Sequence, residues 1–144
     1  MKGSRLAGSA LFAMVLLAAV ISTATAPAGR YTISGGTVFD TKTQLTWQQA
    51  QASSQMTQTV AESYCNSLGT WRLPSMKELA TIVDYETASS PSIDGTAFPG
   101  TSAGGFWSST AYNPSAGLGW LVFFDTGGIG PSTVTSNGYV RCVH

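Results

Sequence analysis

Apolar and polar residues alternate along the first part of the chain in the pattern of short β-strands. In the stretch RYTISGGTVFDTKTQLTWQQ, Tyr31, Ile33 and Val38 lie at period-two positions, and Gly35 and Gly36 interrupt them with a turn signal. The DTKTQ stretch predicts a second turn, because an Asp side chain readily bonds its own nearby backbone. The alternation then resumes in LTWQ. The pattern predicts consecutive strands joined by turns.

The stretch TVAESYCNSLG changes to the spacing of an amphipathic helix. Its apolar residues recur at i, i+3, i+4 and i+7, namely Ala61, Tyr64, Cys65 and Leu68. Thr59 and Glu62 have the spacing of a capping box, which satisfies backbone N–H groups at a helix N-terminus. Gly69 is placed to end the helix. The pattern therefore predicts a helix that turns Cys65 toward the core.

A second helix is predicted in WRLPSMKELATIVDY. Ser75 and Glu78 repeat the capping-box spacing, and Pro74 precedes the cap, where it costs no helical hydrogen bond. The residues predicted to be buried are Met76, Leu79, Ala80 and Val83. Trp71 and Leu73 approach this helix in an extended segment.

The second half of the chain is predicted to be a long loop followed by strands. In residues 86–105, Ile93 and Phe98 are the side chains expected to anchor the loop. Strands are predicted at FWSSTAY, WLVFFD and the end of SNGYVRCVH, and turns at NPSAGLG and TGGIGPS. This order predicts an α+β fold, with two helices beside a mostly antiparallel, twisted sheet with long loops.

The N-terminus has the composition of an export signal. Lys2 and Arg5 precede an apolar run, and the small residues of STATAPAG follow it. The alternative is a membrane anchor, but the second half of this stretch is only weakly apolar. We therefore expect a cleaved signal peptide over residues 1–28 and a single domain over residues 29–144. The domain would lie in the periplasm, on the cell surface or outside the cell, without stable membrane insertion.

Charge narrows the classes of partner. Charged residues make up 10% of the sequence, with seven cations and seven carboxylates. Residues 29–144 lack Lys2 and Arg5, so their formal charge is −2. Their cations are not clustered, which argues against a nucleic-acid partner. Aromatic residues occur along the whole length, which argues against a disordered chain.

Cys65 and Cys142 are the only cysteines. In an exported chain, two cysteines most economically form one disulfide. Closing so long a loop would stabilise the fold by about 4 kcal/mol in the chain-entropy model. A free reactive thiol is the alternative.

The sequence offers little for catalysis or metal binding. His144 is the only histidine, so a Ser-His-Asp arrangement would depend on it alone. Asp84, Glu86 and Asp94 supply oxygens across the long loop, but calcium takes about six to eight oxygens in a tight array. We expect Asp84 and Asp94 to cap turns instead. The prediction is a protein without enzymatic activity, metal or cofactor.

The large aromatic and cationic side chains are interpreted as structural. The tryptophans predicted to lie in the core are Trp47, Trp71, Trp107 and Trp120. Arg72 and Arg141 are predicted to pair with carboxylates such as Asp40 or Glu78.

The remaining candidates for binding form a polar surface near the C-terminal end. They occupy predicted turns and polar strand faces: Tyr112, Asn113, Ser115, Thr133, Thr135, Ser136 and Asn137. Tyr offers rigid contact area, and Asn, Ser and Thr offer adaptable hydrogen bonds, a mixture that resembles antibody paratopes and also suits sugar hydroxyls. The alternative is an ordinary solvated surface. We expect Tyr112 and Asn137 to face solvent on one side of the domain, on turns that converge.

Several stretches together resemble a known family. GGTVFDTKTQLTWQ, WRLPSMKEL, FWSST, GWLVFFDTGGI and the final YVRCVH are similar to the domain at the C-terminus of the Legionella collagen-like adhesin, over residues 36–143. The resemblance implies a C-type-lectin-like fold, related to that of the formylglycine-generating enzyme. It also implies a disulfide between the first helix and the last strand.

The resemblance further implies a function. Family members with assigned roles are mostly adhesins for sulfated polysaccharides, and others resemble the variable proteins of diversity-generating retroelements. The expectation is an exported module that binds a glycan or a protein through its C-terminal loops. The alternative is a structural or assembly subunit of the cell surface with no discrete ligand site. The sequence has no collagen-like repeat, so the multivalency that such a stalk supplies is not expected from it.

Overall fold

The computed structural model describes residues 26–87, 89–113 and 115–144. Most of the predicted signal peptide, residues 1–25, lies outside the described residues, so its boundary stays a prediction. Within the described ranges no helix is long and apolar enough to cross a membrane.

The chain begins with the predicted strands. β1 (Tyr31–Ser34), β2 (Thr37–Asp40) and β3 (Leu45–Gln48) form a three-stranded antiparallel sheet in that order. Gly35 and Gly36 join β1 to β2 with positive φ angles of 55° and 79°. A two-residue turn with both φ angles positive matches the twist of antiparallel strands, which is why glycine is favoured there.

The first helix differs from its prediction at the N-terminus. α1 (Gln58–Ser67) follows Thr57, whose side chain makes no capping hydrogen bond, so the predicted Thr59–Glu62 box is wrong. A tertiary contact replaces it, because the amide Nε2 of Gln58 donates to the carbonyl of Ser108 at 2.7 Å. Ala61 and Cys65 are fully buried as predicted. Leu68 is exposed because it is the C-cap, beyond the last helical residue.

The second helix begins as predicted. α2 (Met76–Ala80) has Ser75 as its N-cap, and both hydrogen bonds of the capping box to Glu78 are present. Leu79 and Val83 are buried, and Met76 packs against the same cluster while partly exposed. The helix contacts β4 and β5 of the second sheet, defined next.

The second sheet is also antiparallel. β4 (Gly105–Ala111), β5 (Leu118–Phe123) and β6 (Ile129–Thr133) are hydrogen-bonded in that order. β6 lies in the stretch TGGIGPS, so the turn predicted there is wrong beyond Gly128. The glycines and the proline suggested a turn, but Pro131 is tolerated because β6 is an outer strand of the sheet.

Residues 138–144, called here the closing segment, join the two sheets. Thr46 and His144 exchange two backbone hydrogen bonds, which extend the first sheet beyond β3. The N–H of Trp107 in β4 donates to the carbonyl of Tyr139 at 2.9 Å. The architecture is therefore α+β as predicted, but with two three-stranded sheets bridged by a segment rather than one sheet.

The core consists of two clusters that meet at β4. Phe106 belongs to the cluster beneath α2, and Trp107 belongs to the cluster beneath α1. Both are fully buried, as expected for a strand covered on both faces at its start. The loop residues Ile93 and Phe98 are buried in the cluster beneath α2, which confirms that they anchor the loop. Trp47 is also buried.

The predicted disulfide is present. Cys65 in α1 bonds Cys142 in the closing segment, with Cα atoms 5.6 Å apart and a sequence separation of 77. The described residues include no free cysteine. The bridge belongs to the core cluster beneath α1, and the free-thiol alternative is wrong.

Two of the four tryptophans differ from their prediction. Trp71 and Trp120 are only partly buried. Trp71 packs edge-on against the ring of His144, with centroids 4.5 Å apart. Trp120 lies on the face of β5 described below.

Candidate functional site

Arg141 is fully buried without a carboxylate partner, contrary to its predicted pairing. Its Nη1 donates to the carbonyls of Gln48 and Gln49, and its Nη2 donates to Thr101 Oγ1 at 2.7 Å. The guanidinium also lies 4.8 Å from the ring centroid of Phe98. Burial lowers the pKa of Arg141 to about 10. These contacts fix the closing segment to the end of β3 and to the long loop, so the side chain has a structural role.

Arg72 forms its predicted ion pair with Glu78. Two hydrogen bonds of 2.7 and 2.8 Å join the groups. Those bonds, opposed by burial and aided by the N–H and hydroxyl of Ser75, hold the pKa of Glu78 at about 2. The pair links the start of α2 to the segment beside Val143.

Asp40 pairs with Arg30 rather than with Arg72 or Arg141. The two groups are 2.8 Å apart, and Arg30 also donates to the carbonyl of Thr81. Burial alone would raise the pKa of Asp40, but hydrogen bonds from Arg30 and from the N–H of Lys42 outweigh it, so the pKa is lowered. Every arginine of residues 29–144 is thus engaged within the fold.

The loop carboxylates cap turns, as predicted. Asp94 Oδ1 accepts hydrogen bonds from the N–H groups of Thr96 and Ala97, and Asp84 Oδ1 accepts one from Glu86. In the part of the chain that the structure describes, no three His, Cys, Asp or Glu residues are grouped so that they could hold a metal ion.

Three clefts border the start of the described chain. Their volumes are about 180, 250 and 260 Å³, and all three are lined by Pro27, the first two also by Ala26. Ala26 and Pro27 belong to the predicted signal peptide. The clefts would therefore change on processing and are not taken as the candidate site.

Three of the predicted site residues lie on the hairpin between β4 and β5. Asn113 and Ser115 are exposed, and Pro114 between them lies outside the described residues. The N–H of Tyr112 donates to the carbonyl of Leu118 at 3.0 Å, which fixes the base of the hairpin. Tyr112 is only half-exposed, because its ring packs edge-on against Trp120, with centroids 5.0 Å apart.

Three further site residues lie beside this hairpin. Thr133 is paired with Leu118 in the β5–β6 register, and the N–H of Val134 donates to the carbonyl of Gly117. The hydroxyl oxygens of Thr133 and Ser136 are 2.6 Å apart and hydrogen-bonded. Thr135 is exposed between them. We call the joint set the hairpin surface: Tyr112, Asn113, Ser115, Thr133, Thr135 and Ser136.

Asn137 is exposed but does not join the hairpin surface. The next residue, Gly138, pairs with Met56 and approaches the ring of Trp107. Trp107 lies near the start of β4, whereas Tyr112 follows its end. For this reason we leave Asn137 out of the hairpin surface, and its part in the candidate site stays a prediction.

Comparison with models of protein families shows which family the chain belongs to. The model of the Lcl C-terminal domain matches residues 36–144. The chain belongs to the Lcl C-terminal domain family. The predicted resemblance to the C-terminal domain of the Legionella collagen-like adhesin is thereby confirmed. No curated protein matches the chain.

Membership in the Lcl C-terminal domain family agrees with the chemistry of the fold. Disulfides persist in oxidising compartments outside the cytoplasm. The Cys65–Cys142 bridge and the adhesin-related family together indicate an exported protein.

The sequence did not identify one ring on the surface of this Lcl C-terminal domain. Trp120 is half-buried on β5 and lies opposite Pro131 in the β5–β6 register. Its stretch WLVFFD is apolar on both faces, so alternation alone gave no reason to expect an exposed side chain. The available signal was Pro131, which lies two strand positions before Thr133. Proline within a strand indicates an outer strand of a sheet, where side chains of the adjacent strand can be partly exposed.

Proposed function

We propose that this chain is an exported, non-enzymatic binding module of the adhesin type, which engages a glycan or protein ligand through the hairpin surface. One observation carries the proposal. Six polar or aromatic side chains, from the β4–β5 hairpin and from the end of β6 with the turn after it, lie beside one another, and backbone pairing between Leu118 and Thr133 fixes their relative position. Preformed surfaces of this kind bind with little loss of conformational entropy.

The proposal includes a C-type-lectin-like fold. Supporting it are the two helices, the disulfide from α1 to the closing segment, and the pairing of that segment with β3. Such a scaffold holds loops in fixed positions while the sequences of the loops can vary, which is the usual arrangement of binding sites on loops.

The test uses the processed protein purified after export. It is applied to a glycan array and to an array of cell-surface proteins, beside its Tyr112→Ala and Thr133→Ala variants. We expect each variant to weaken binding at least about tenfold, equivalent to about 1.4 kcal/mol. Tyr85→Ala is the matched control, because Tyr85 is 71% exposed in the loop after α2, away from the hairpin surface.

The outcomes separate the alternatives. Binding that Tyr112→Ala and Thr133→Ala leave intact would place the ligand elsewhere on the domain. Binding to neither array would favour a structural or assembly subunit with no discrete ligand site.

A further inference from the structure

We infer that the ligand of the hairpin surface is an uncharged polysaccharide, whose sugar rings stack on a ring platform formed by Tyr112, Trp120 and Pro131. This inference rests on the proposed function and specifies the chemistry of its ligand. It follows from the placement of three rings, from the neighbouring hydroxyls and from the charge of the domain.

The ring platform is built across all three strands of the second sheet. Trp120 is on the central strand, Pro131 faces it on β6, and Tyr112 follows β4. The planes of Tyr112 and Trp120 are inclined at 68°. Each half-buried ring is held by its neighbour, so it loses little freedom when a ligand arrives. The faces of the Tyr112 and Trp120 rings are electron-rich and favour contact with weakly positive groups, such as the C–H bonds of a sugar ring.

Hydroxyl groups border the ring platform. Thr133 lies on β6 two positions after Pro131, and its hydroxyl is bonded to that of Ser136. A hydroxyl has one donor and two acceptor positions, so one mutual bond leaves capacity for sugar hydroxyls. Apolar rings flanked by uncharged donors and acceptors match the two kinds of surface that a sugar presents.

The charge of the domain argues against an anionic polysaccharide. Arg30 and Arg72 are in ion pairs, and Arg141 is buried. In the described part of residues 29–144, the exposed cations without an ion pair are Lys42 and Lys77, which lie on different elements. A sulfated or phosphorylated polymer requires clustered cations, and the net charge of −2 would repel it.

The geometry also argues against a protein partner. Pro131 has no N–H group, so the outer edge of β6 is interrupted at its centre as a template for an added strand. The large apolar side chains exposed in the described ranges are Ile33, Val60, Leu68, Tyr85 and Ile129. Only Ile129 is on this sheet, and side chains exposed singly do not form the continuous patch typical of a protein interface.

The test compares neutral with anionic polymers. The processed protein is titrated with cellulose, chitin, xylan, mannan and β-1,3-glucan, and with heparin and dextran sulfate, by sedimentation or affinity electrophoresis. We expect binding to at least one neutral polymer, with an affinity that changes less than about twofold between roughly 50 and 500 mM salt, since no counterions are released. Tyr112→Ala and Trp120→Leu should each weaken it at least about tenfold.

A matched control tests the stacking itself. Trp71→Leu removes the other half-buried tryptophan, which packs against His144, and should bind normally. In that variant Trp120 is the only partly exposed tryptophan, because Trp47 and Trp107 are fully buried. When the polysaccharide is added, the emission maximum of Trp120 in this variant should therefore shift, and the quenching of Trp120 by acrylamide should fall. This readout needs no substitution in the ring platform, so it decides the matter even if Trp120→Leu does not fold.

Each contrary result has a distinct meaning. In one, the protein binds only heparin or dextran sulfate, or only a protein, in a way that still depends on Tyr112. That result would overturn the inference of an uncharged ligand and would leave the proposed function standing. Neutral binding without a change in Trp120 fluorescence overturns the ring platform. Binding to none of the neutral polymers overturns the inference, whereas binding that ignores every hairpin variant overturns the proposed function as well.

Discussion

His144 and Thr46 exchange two backbone hydrogen bonds, each 2.9 Å long. Two residues earlier in the chain, Cys142 is bonded to α1. The closing segment is therefore held on one side by β3 and on the other by a covalent link. Cys142 therefore fixes the segment that completes both sheets.

Removing the disulfide should destabilise the domain by about 4 kcal/mol, as expected for a loop of this length. Cys65→Ala, Cys142→Ala and the double variant should lose the same amount, because any of them opens the same loop. Urea denaturation monitored by tryptophan fluorescence measures the loss. The unreduced wild-type protein should show no titratable thiol. Two reactive thiols in a folded wild-type protein would contradict this prediction.

Glu78→Gln should reduce stability at neutral pH and have less effect in acid. The pKa of Glu78 falls from its ordinary 4.5 to about 2 on folding, so its ionised form stabilises the native state. That contribution is fully present above about pH 4.5 and is lost as the pH falls toward 2. The pair is partly exposed, so we expect about 1 kcal/mol at pH 7.

The measurement is the urea midpoint of wild type and Glu78→Gln between pH 7 and pH 2. The two curves should converge as the pH falls. Glu86→Gln removes an exposed loop carboxylate and should give a small difference at every pH. A gap between wild type and Glu78→Gln that stays constant with pH would mean that the carboxylate charge does not matter.

Arg141→Lys should cost about 2 kcal/mol, although it keeps the positive charge. A lysine ammonium cannot reproduce the planar fork that bonds two carbonyls and a hydroxyl at once. Buried groups left without partners cost about 1–3 kcal/mol. Arg72→Lys is the control, because Arg72 is nearly half-exposed and should cost much less. Equal losses in thermal or urea unfolding would refute the structural role given to Arg141.

Gly138→Ala should cost about 1–3 kcal/mol through overpacking. A Cβ atom there would lie 2.9 Å from two ring atoms of Trp107 and 3.3 Å from the carbonyl of Gly105. The ring is fully buried and cannot move aside freely. Gly95→Ala is the control, since nothing lies within 4 Å of the added methyl group. Similar unfolding midpoints for the two variants would show that the Trp107 packing is looser than described.

Local signals in the sequence predicted features that depend on a few neighbouring residues. The Ser75–Glu78 box started α2 because both partners belong to one helical turn, and the Gly35–Gly36 turn formed for the same reason. The similar spacing of Thr59 and Glu62 failed because buried Gln58 found a partner on β4, fifty residues away. α1 begins at Gln58, whose side chain makes this tertiary hydrogen bond.

The candidate site was predictable in its chemistry and less so in its geometry. Hydroxyl and amide side chains on turns indicated a polar surface, and six of the seven lie together. The position of Asn137 depends on Gly138 packing against Trp107, which no periodicity shows. Trp120 was assigned to the core because hydrophobicity does not tell which side of a strand is covered. Arg141 likewise found carbonyl groups instead of an acid.

The closing segment also has a consequence for biogenesis. It is synthesised after every element that it joins, and neither core cluster is complete without Val140, Cys142 and Val143. Contacts between residues so distant in the chain form late, since the loop between them must close first. We therefore expect a nascent chain to lack a stable native state until the closing segment has been synthesised. An unfolded chain is also the form in which a polypeptide passes through a membrane channel.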